Sequence, residues 1–168
     1  GDAEDAMRAA ALYVSNWFFL ARATDYFAAD IATNPVVHFW SLAVEEQFYI
    51  VFPFLLWGLA RAAPGRLVAA IAVLGAASLG WATWAVTAFP DSAFYSTPAR
   101  AWELALGALL AARSAAPLRP VVAQGMAAAG LAAITAAVVL FDRGTAFPGV
   151  AALLPCLGAA AVLRAGEG

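Results

Sequence analysis

Lysine is absent from this 168-residue chain, and cysteine and histidine occur once each. Nine arginines stand against eleven acids, a net charge of −2. No basic stripe exists to neutralise phosphates, which excludes nucleic-acid binding. The lone Cys156 cannot form an internal disulfide, and one Cys, one His and scattered acids offer no metal-ligand spacing. In its apolar run Cys156 reads as a small packing residue. Charged residues make up only 12% of the chain, about half of the roughly 25% found in soluble domains. With 64% hydrophobic residues and a mean hydropathy of +0.81, too little polar surface remains to clothe a globule in water. A soluble enzyme and a disordered linker are both excluded. The expected class is an all-α integral membrane protein.

A bilayer core about 30 Å thick is crossed by roughly 20 apolar residues in a helix. Five stretches approach that length: 35–59, 67–89, 97–112, 121–141 and 148–163. The second carries no charge, whereas the first holds His38, Glu45, Glu46 and Gln47, and the third holds Arg100 and Glu103. The fifth is short and contains Pro155. Arginines recur in alternate connections: Arg61 and Arg66 after the first span, Arg113 and Arg119 after the third, Arg164 after the fifth. By the positive-inside rule those ends are cytoplasmic. Residues 1–34, with five acids against two arginines, are then extracytoplasmic and the C-terminus cytoplasmic. The aromatic run Tyr13, Trp17, Phe18, Phe19, Tyr26 and Phe27 suits a stretch lying in the headgroup zone or lining a site that faces outward. The chain begins without a basic segment leading into an apolar core, so no signal peptide is read there, and both ends suggest a fragment of something longer.

The polar residues of the first span carry the most information. Asn34 before Pro35 predicts a helix start. At about 100° per residue, His38, Ser41, Glu45 and Tyr49 share one face, with Glu46 on a flank and Gln47 nearly opposite. Each carboxylate at mid-depth costs about 2.5–3.5 kcal/mol on insertion scales, so packing alone would not favour two in succession. They either pair with an arginine to fix helix contacts or form a polar site open to the outer face. Arg100, which shares a helical face with Glu103, starts from the same side and is expected to pair with Glu45, Glu46 or both. His38 reads as a hydrogen-bonded anchor or as a general base. Ser41 lacks the Gly-x-Ser-x-Gly elbow of a serine hydrolase. Pro53 predicts a kink below the cluster.

The run His38-Phe39-Trp40-Ser41-Leu42-Ala43-Val44-Glu45-Glu46-Gln47-Phe48-Tyr49 resembles the signature of the membrane acyltransferase-3 family, the bacterial O-acetylases of surface polysaccharides. Ser15-Asn16-Trp17-Phe18-Phe19, followed by Asp25-Tyr26-Phe27, resembles the segment that precedes this signature. The stretch from Phe94-Tyr95 to Arg100-Ala101-Trp102-Glu103-Leu104 resembles a second block, most familiar from members with an added C-terminal SGNH-type hydrolase-like domain.

The resemblance implies a bundle of about ten helices in the bacterial inner membrane, of which this chain holds about five. It implies transfer of an acyl group, typically acetyl, from cytoplasmic acyl-CoA (acetyl-CoA) to an extracytoplasmic carbohydrate hydroxyl, with the bilayer, the glycan acceptor and further helices of the same protein as partners. Glu45, Glu46 and His38 are the catalytic candidates. Ser41, Gln47, Tyr49, Arg100 and Glu103 are the substrate-binding candidates, and no metal is expected. The family's essential His lies on a first helix that is not in this sequence, so His38 is not equated with it and the chain alone is expected to be inactive. A secondary transporter or channel would also explain intramembrane acids, though not the long run from His38 to Tyr49. A noncatalytic scaffold would require the polar cluster to be closed and self-paired.

Overall fold

The computed structural model describes residues 2–23, 36–62, 64–112, 116–142 and 144–167. Among the described residues every regular element is helical. Two short helices open the chain, α1 (Asp2–Ala11) and α2 (Ser15–Ala23). The buried side of α1 is Ala6, Ala9 and Ala10, while Arg8 pairs with Glu4 at 2.6 Å on its exposed side. The turn between them places Tyr13 at φ 55°, a left-handed conformation uncommon for a residue with a Cβ. The aromatic segment is thus folded as far as residue 23. Asp25, Tyr26, Phe27, Asp30, the Asn34–Pro35 helix start and Arg113 lie outside the described residues.

The long helices follow: α3 (Phe39–Ala62), α4 (Leu67–Ala88), the short α5 (Pro90–Tyr95), α6 (Thr97–Ala112), α7 (Pro120–Leu140) and α8 (Leu153–Ala165). Helix α3 begins four residues later than the span expected from residue 35. Val36–His38 form a turn in which Phe39 N–H donates to the Val36 carbonyl at 3.1 Å. Helix α5 has no counterpart among the five apolar stretches; Pro90, with φ fixed near the helical value, starts it. Pro53 lies within α3 without ending it. Pro155 falls in the first turn of α8, where no intrahelical donor is required. Helices α3, α4 and α7 are long and apolar enough to cross a membrane by themselves. With 16 residues, α6 is shorter, as is the apolar stretch Val150–Ala165 formed by a 3-10 turn and α8. Much of the apolar surface faces outward, including Phe54, Trp57, Val121 and Val138, as lipid requires of a membrane protein.

Two helix pairs form the frame, and both approach closely through small residues. Between α4 and α6, Ser78 Oγ accepts from Trp102 N–H at 2.9 Å and donates to the Pro98 carbonyl at 2.6 Å. Ala82, Ala99, Trp102 and Ala152 make the buried core beside them. In the α7–α8 pair, a Cβ on Gly130 would come within 2.5 Å of the Gly158 carbonyl oxygen, and one on Gly158 within 2.8 Å of the Gly130 oxygen.

The contacts also sort the two ends of the bundle. Trp40 at the start of α3 packs on Phe94 and Tyr95 of α5, and Gly149 in the α7–α8 connection lies against Val86 and Thr83 of α4. The starts of α3 and α6 therefore share one end with the α7–α8 connection. At the other end Arg164 Nη2 donates to the Ala116 carbonyl at 2.5 Å. Arg61, Arg66, Arg119 and Arg164 all sit at or beside helix termini of that second end.

Because the Gly130 approach is to backbone, a methyl group there cannot be relieved by a side-chain rotation. Gly130→Ala should cost about 1–3 kcal/mol, read as a lowered Tm of the detergent-solubilised protein. Gly125→Ala on the same helix, with open space around its would-be Cβ, should leave Tm unchanged or slightly raised.

Candidate functional site

Residues Trp40, Ala43, Val44 and Gln47 are spaced as one helical stripe, and along it α3 turns its buried side inward: Ala43 and Val44 are almost wholly buried. Ser41, Glu45 and Tyr49 lie on the other side and are exposed, with Glu45 roughly 140° round the helix from the stripe. Glu46 is half-buried on a flank. His38 is exposed in the turn before the helix, and its carbonyl accepts from Ser41 Oγ at 3.2 Å. The expected grouping of Ser41, Glu45 and Tyr49 on one face is present, with His38 at its mouth rather than on the helix.

Gln47 sits at a three-helix junction. Its Oε1 accepts from Trp17 Nε1 at 3.1 Å and from Thr97 Oγ1 at 2.8 Å. Its Nε2 donates to the Tyr13 carbonyl and to Asn16 Oδ1, both at 2.8 Å. All four hydrogen-bonding positions of the amide are filled. Asn16, fully buried, donates in turn to Thr97 Oγ1 at 2.9 Å and to the Tyr95 carbonyl at 3.3 Å. The positive φ of Tyr13 closes the end of α1, where Tyr13 N–H donates to the Ala10 carbonyl at 3.1 Å and Val14 N–H to the Ala9 carbonyl at 2.9 Å. Nothing in the sequence sets Asn16 or Thr97 apart as partners of Gln47; the one signal is that Asn16 lies in the block preceding the signature.

Arg100 does not meet the α3 acids. Its Nη1 pairs with Glu103 Oε1 at 3.2 Å, one turn along α6, and both side chains are mostly buried at 11% and 24% exposure. The guanidinium lies over Trp40 and Phe94, each at 5.0 Å, and over Phe147 at 4.8 Å, a threefold cation–π enclosure. The expected pairing of Arg100 with Glu45 or Glu46 is corrected: α3 presents Trp40 to α6 and turns Glu45 away. A carboxylate three residues along the same helix reaches Arg100 without any interhelical fit. Neither Glu45 nor Glu46 has an ion pair among the described residues. Cys156 packs against the Ala82–Trp102 core, as a packing residue should. Among the described residues no three His, Cys, Asp or Glu side chains converge as metal ligands would.

What the arrangement can do chemically is therefore divided. The α6 pair is self-neutralised and walled by rings. The α3 face offers two carboxylates and a phenol, together with the Ser41 hydroxyl, which donates to the carbonyl of the preceding turn.

Comparison with known proteins bears on these groups. The family described as "Acyltransferase domain", of acyltransferase-3 type, matches residues 8–167. O-acetyltransferase OatA of Staphylococcus aureus (strain NCTC 8325 / PS 47) is 36% identical over 106 residues, 61% of this chain and 17% of that protein. Peptidoglycan O-acetyltransferase OatA of Listeria monocytogenes is 38% identical over 103 residues, 59% of this chain and 17% of that protein. The chain thus spans about a sixth of the length of these relatives. No solved structure matches.

The enclosed pair gives a direct stability test. Arg100→Met strands the Glu103 carboxyl without its partner, a loss of about 3–5 kcal/mol expected as a large fall in Tm. Adding Glu103→Leu removes the stranded carboxyl and should recover most of that fall.

Proposed function

The chain belongs to the acyltransferase-3 family, and on that premise we propose that it forms the central helices of a membrane O-acyltransferase. The reaction moves an acetyl group from cytoplasmic acetyl-CoA to a carbohydrate hydroxyl on the outer side, with peptidoglycan as the acceptor suggested by the printed name of the Listeria relative. The single observation that carries this reading is the face of Ser41, Glu45 and Tyr49: ionisable and polar groups on a membrane-length helix, turned away from the chain's own core. Acids so placed are costly in lipid. They are explained when further helices of the same protein close over them to make a reaction chamber. The names of the relatives favour acyl transfer over transport of an ion or solute.

In this reading Glu45 or Glu46 takes the proton of the attacking hydroxyl as its oxygen bonds to the acyl carbonyl carbon. The bond to the donor's sulfur, or to an acyl-enzyme atom, then breaks. Ser41 and Tyr49 hydrogen-bond the sugar, and His38 stands at the entrance from the outer side. Gln47 holds α3 rather than the acceptor, because its amide is already saturated. Arg100 and Glu103 stand behind α3 as an enclosed pair that supports the chamber wall. The orientation assigned is outward for the α3 and α6 starts and cytoplasmic for the opposite end, whose arginines are of the sign that favours the inner side and the phosphates of CoA.

Full-length protein carrying Glu45→Gln or Glu46→Gln should insert into the membrane at wild-type level. At least one of the two should lose about 100-fold or more in transfer of labelled acetyl to glycan. Wild-type transfer by both would remove the carboxylates from the mechanism.

A further inference from the structure

The rotation of α3 is what decides where Glu45 points, and packing is poorly placed to set it. Two apolar grooves, about 390 and 560 Å³, flank the α3 segment bearing Phe48, Phe52 and Leu55. The stacked rings of Phe48 and Phe52, 4.4 Å apart, project between them. Contact of this apolar kind is non-directional, so a small roll of α3 about its axis exchanges one ring contact for another at little cost in dispersion energy. Hydrogen bonds are directional, and leaving a buried one unmade is expensive. The junction of Asn16, Gln47 and Thr97, with Trp17 and the Tyr13 carbonyl, is the one polar tie of α3 to both α2 and α6 among the described residues.

We propose that Asn16, Gln47 and Thr97 are positioning residues that lock the rotation of α3, so that Glu45 and Glu46 reach the acceptor hydroxyl. This rests on the proposed acyltransferase function. Thr97 is the most informative member. Its hydroxyl donates to Gln47 and accepts from Asn16, closing a ring of three side chains. Valine has the same shape without the hydroxyl; serine keeps the hydroxyl without the methyl. If the ring sets the rotation, serine retains function and valine does not, whereas simple loss of packing would rank the two the other way.

The test compares Thr97→Val and Thr97→Ser in the full-length protein, with two readouts. The first is acetyl transfer in membrane vesicles. For Thr97→Val, kcat is expected to fall about tenfold or more with little change in the donor KM, because a slightly misaimed base slows the chemical step; Thr97→Ser should stay within about threefold of wild type. The second needs no activity. Val44→Cys, on the buried stripe of α3, is placed in a Cys156→Ala background and treated with a membrane-impermeant maleimide. The introduced thiol should label slowly when Thr97 is retained or replaced by serine, and several-fold faster when it is replaced by valine. Trp17→Phe, which removes one donor at the rim of the junction, should shift both readouts the same way by less, and serves if Thr97→Val fails to accumulate. The proposal is overturned if Thr97→Val leaves the labelling rate of that thiol unchanged, or if Thr97→Ser loses as much kcat as Thr97→Val. Absence of acetyl transfer by the unmodified protein would instead defeat the functional reading, and the labelling would still decide whether the ring sets the rotation.

Discussion

A half-buried amide whose four hydrogen bonds are all made within the chain ties α3 to the helices on either side of it. In a hydrocarbon environment an unsatisfied polar group costs several kcal/mol, so Gln47 can occupy the inner side of α3 only if partners meet it there. They come from three places at once: the α1–α2 turn, the first residues of α2, and the start of α6. The complete burial of Asn16 is a local cost whose purpose is visible only at this junction, while the positive φ of Tyr13 closes α1, with Val14 N–H donating to the Ala9 carbonyl at 2.9 Å. The short helices ahead of α3 are therefore part of the bundle's construction and not a loose anchor on its surface.

The same constraint separates the charges into two kinds. Arg100 is neutralised by Glu103 on its own helix and wrapped by Trp40, Phe94 and Phe147, contributed by α3, α5 and the α7–α8 connection. That solution consumes the arginine that was best placed to reach α3. It leaves Glu45 and Glu46 without an ion pair among the described residues. A buried pair stabilises little beyond a well-packed apolar replacement, so the value of the Arg100 cluster lies in joining three elements at the end of the bundle where the α3 carboxylates begin.

Much of this architecture was legible in the sequence, because lipid forces helices and helices need length. The α6 boundaries agree residue for residue with the apolar stretch, and those of α4 and α7 agree to within a residue. The polar face of α3 was likewise readable from the 3.6-residue repeat. What could not be read was which face of α3 its neighbours would cover. Periodicity gives the angle between Glu45 and Gln47 but not its zero. A reading that set the acids inward pointed Glu45 at Arg100; the stripe of Trp40, Ala43, Val44 and Gln47 reverses it. The roles of Thr97, Phe147 and even Asn16, which the sequence marks only as part of a block, depend on contacts across 31 to 81 positions of sequence or on a loop returning over α4, and no local pattern marks such encounters.

The bundle fixes different coordinates by different means. Gly130 against Gly158, and the Ala-rich seam of α4 and α6, set distances between axes, since small residues let backbones touch. Such contacts tolerate rotation, because one small residue resembles another as a helix turns. Hydrogen bonds do not, since a donor swung aside by a few tens of degrees is lost. Both means are used together: Ser78 adds two hydrogen bonds to the small-residue seam of α4 and α6, and the Gln47 junction adds four to the packing of Trp40, Ala43 and Val44 on α3. The proposed role of Glu45 and Glu46 as proton acceptors demands aim to within a fraction of an ångström, and among the described residues the Gln47 junction is the hydrogen-bonded tie that joins α3 to both α2 and α6.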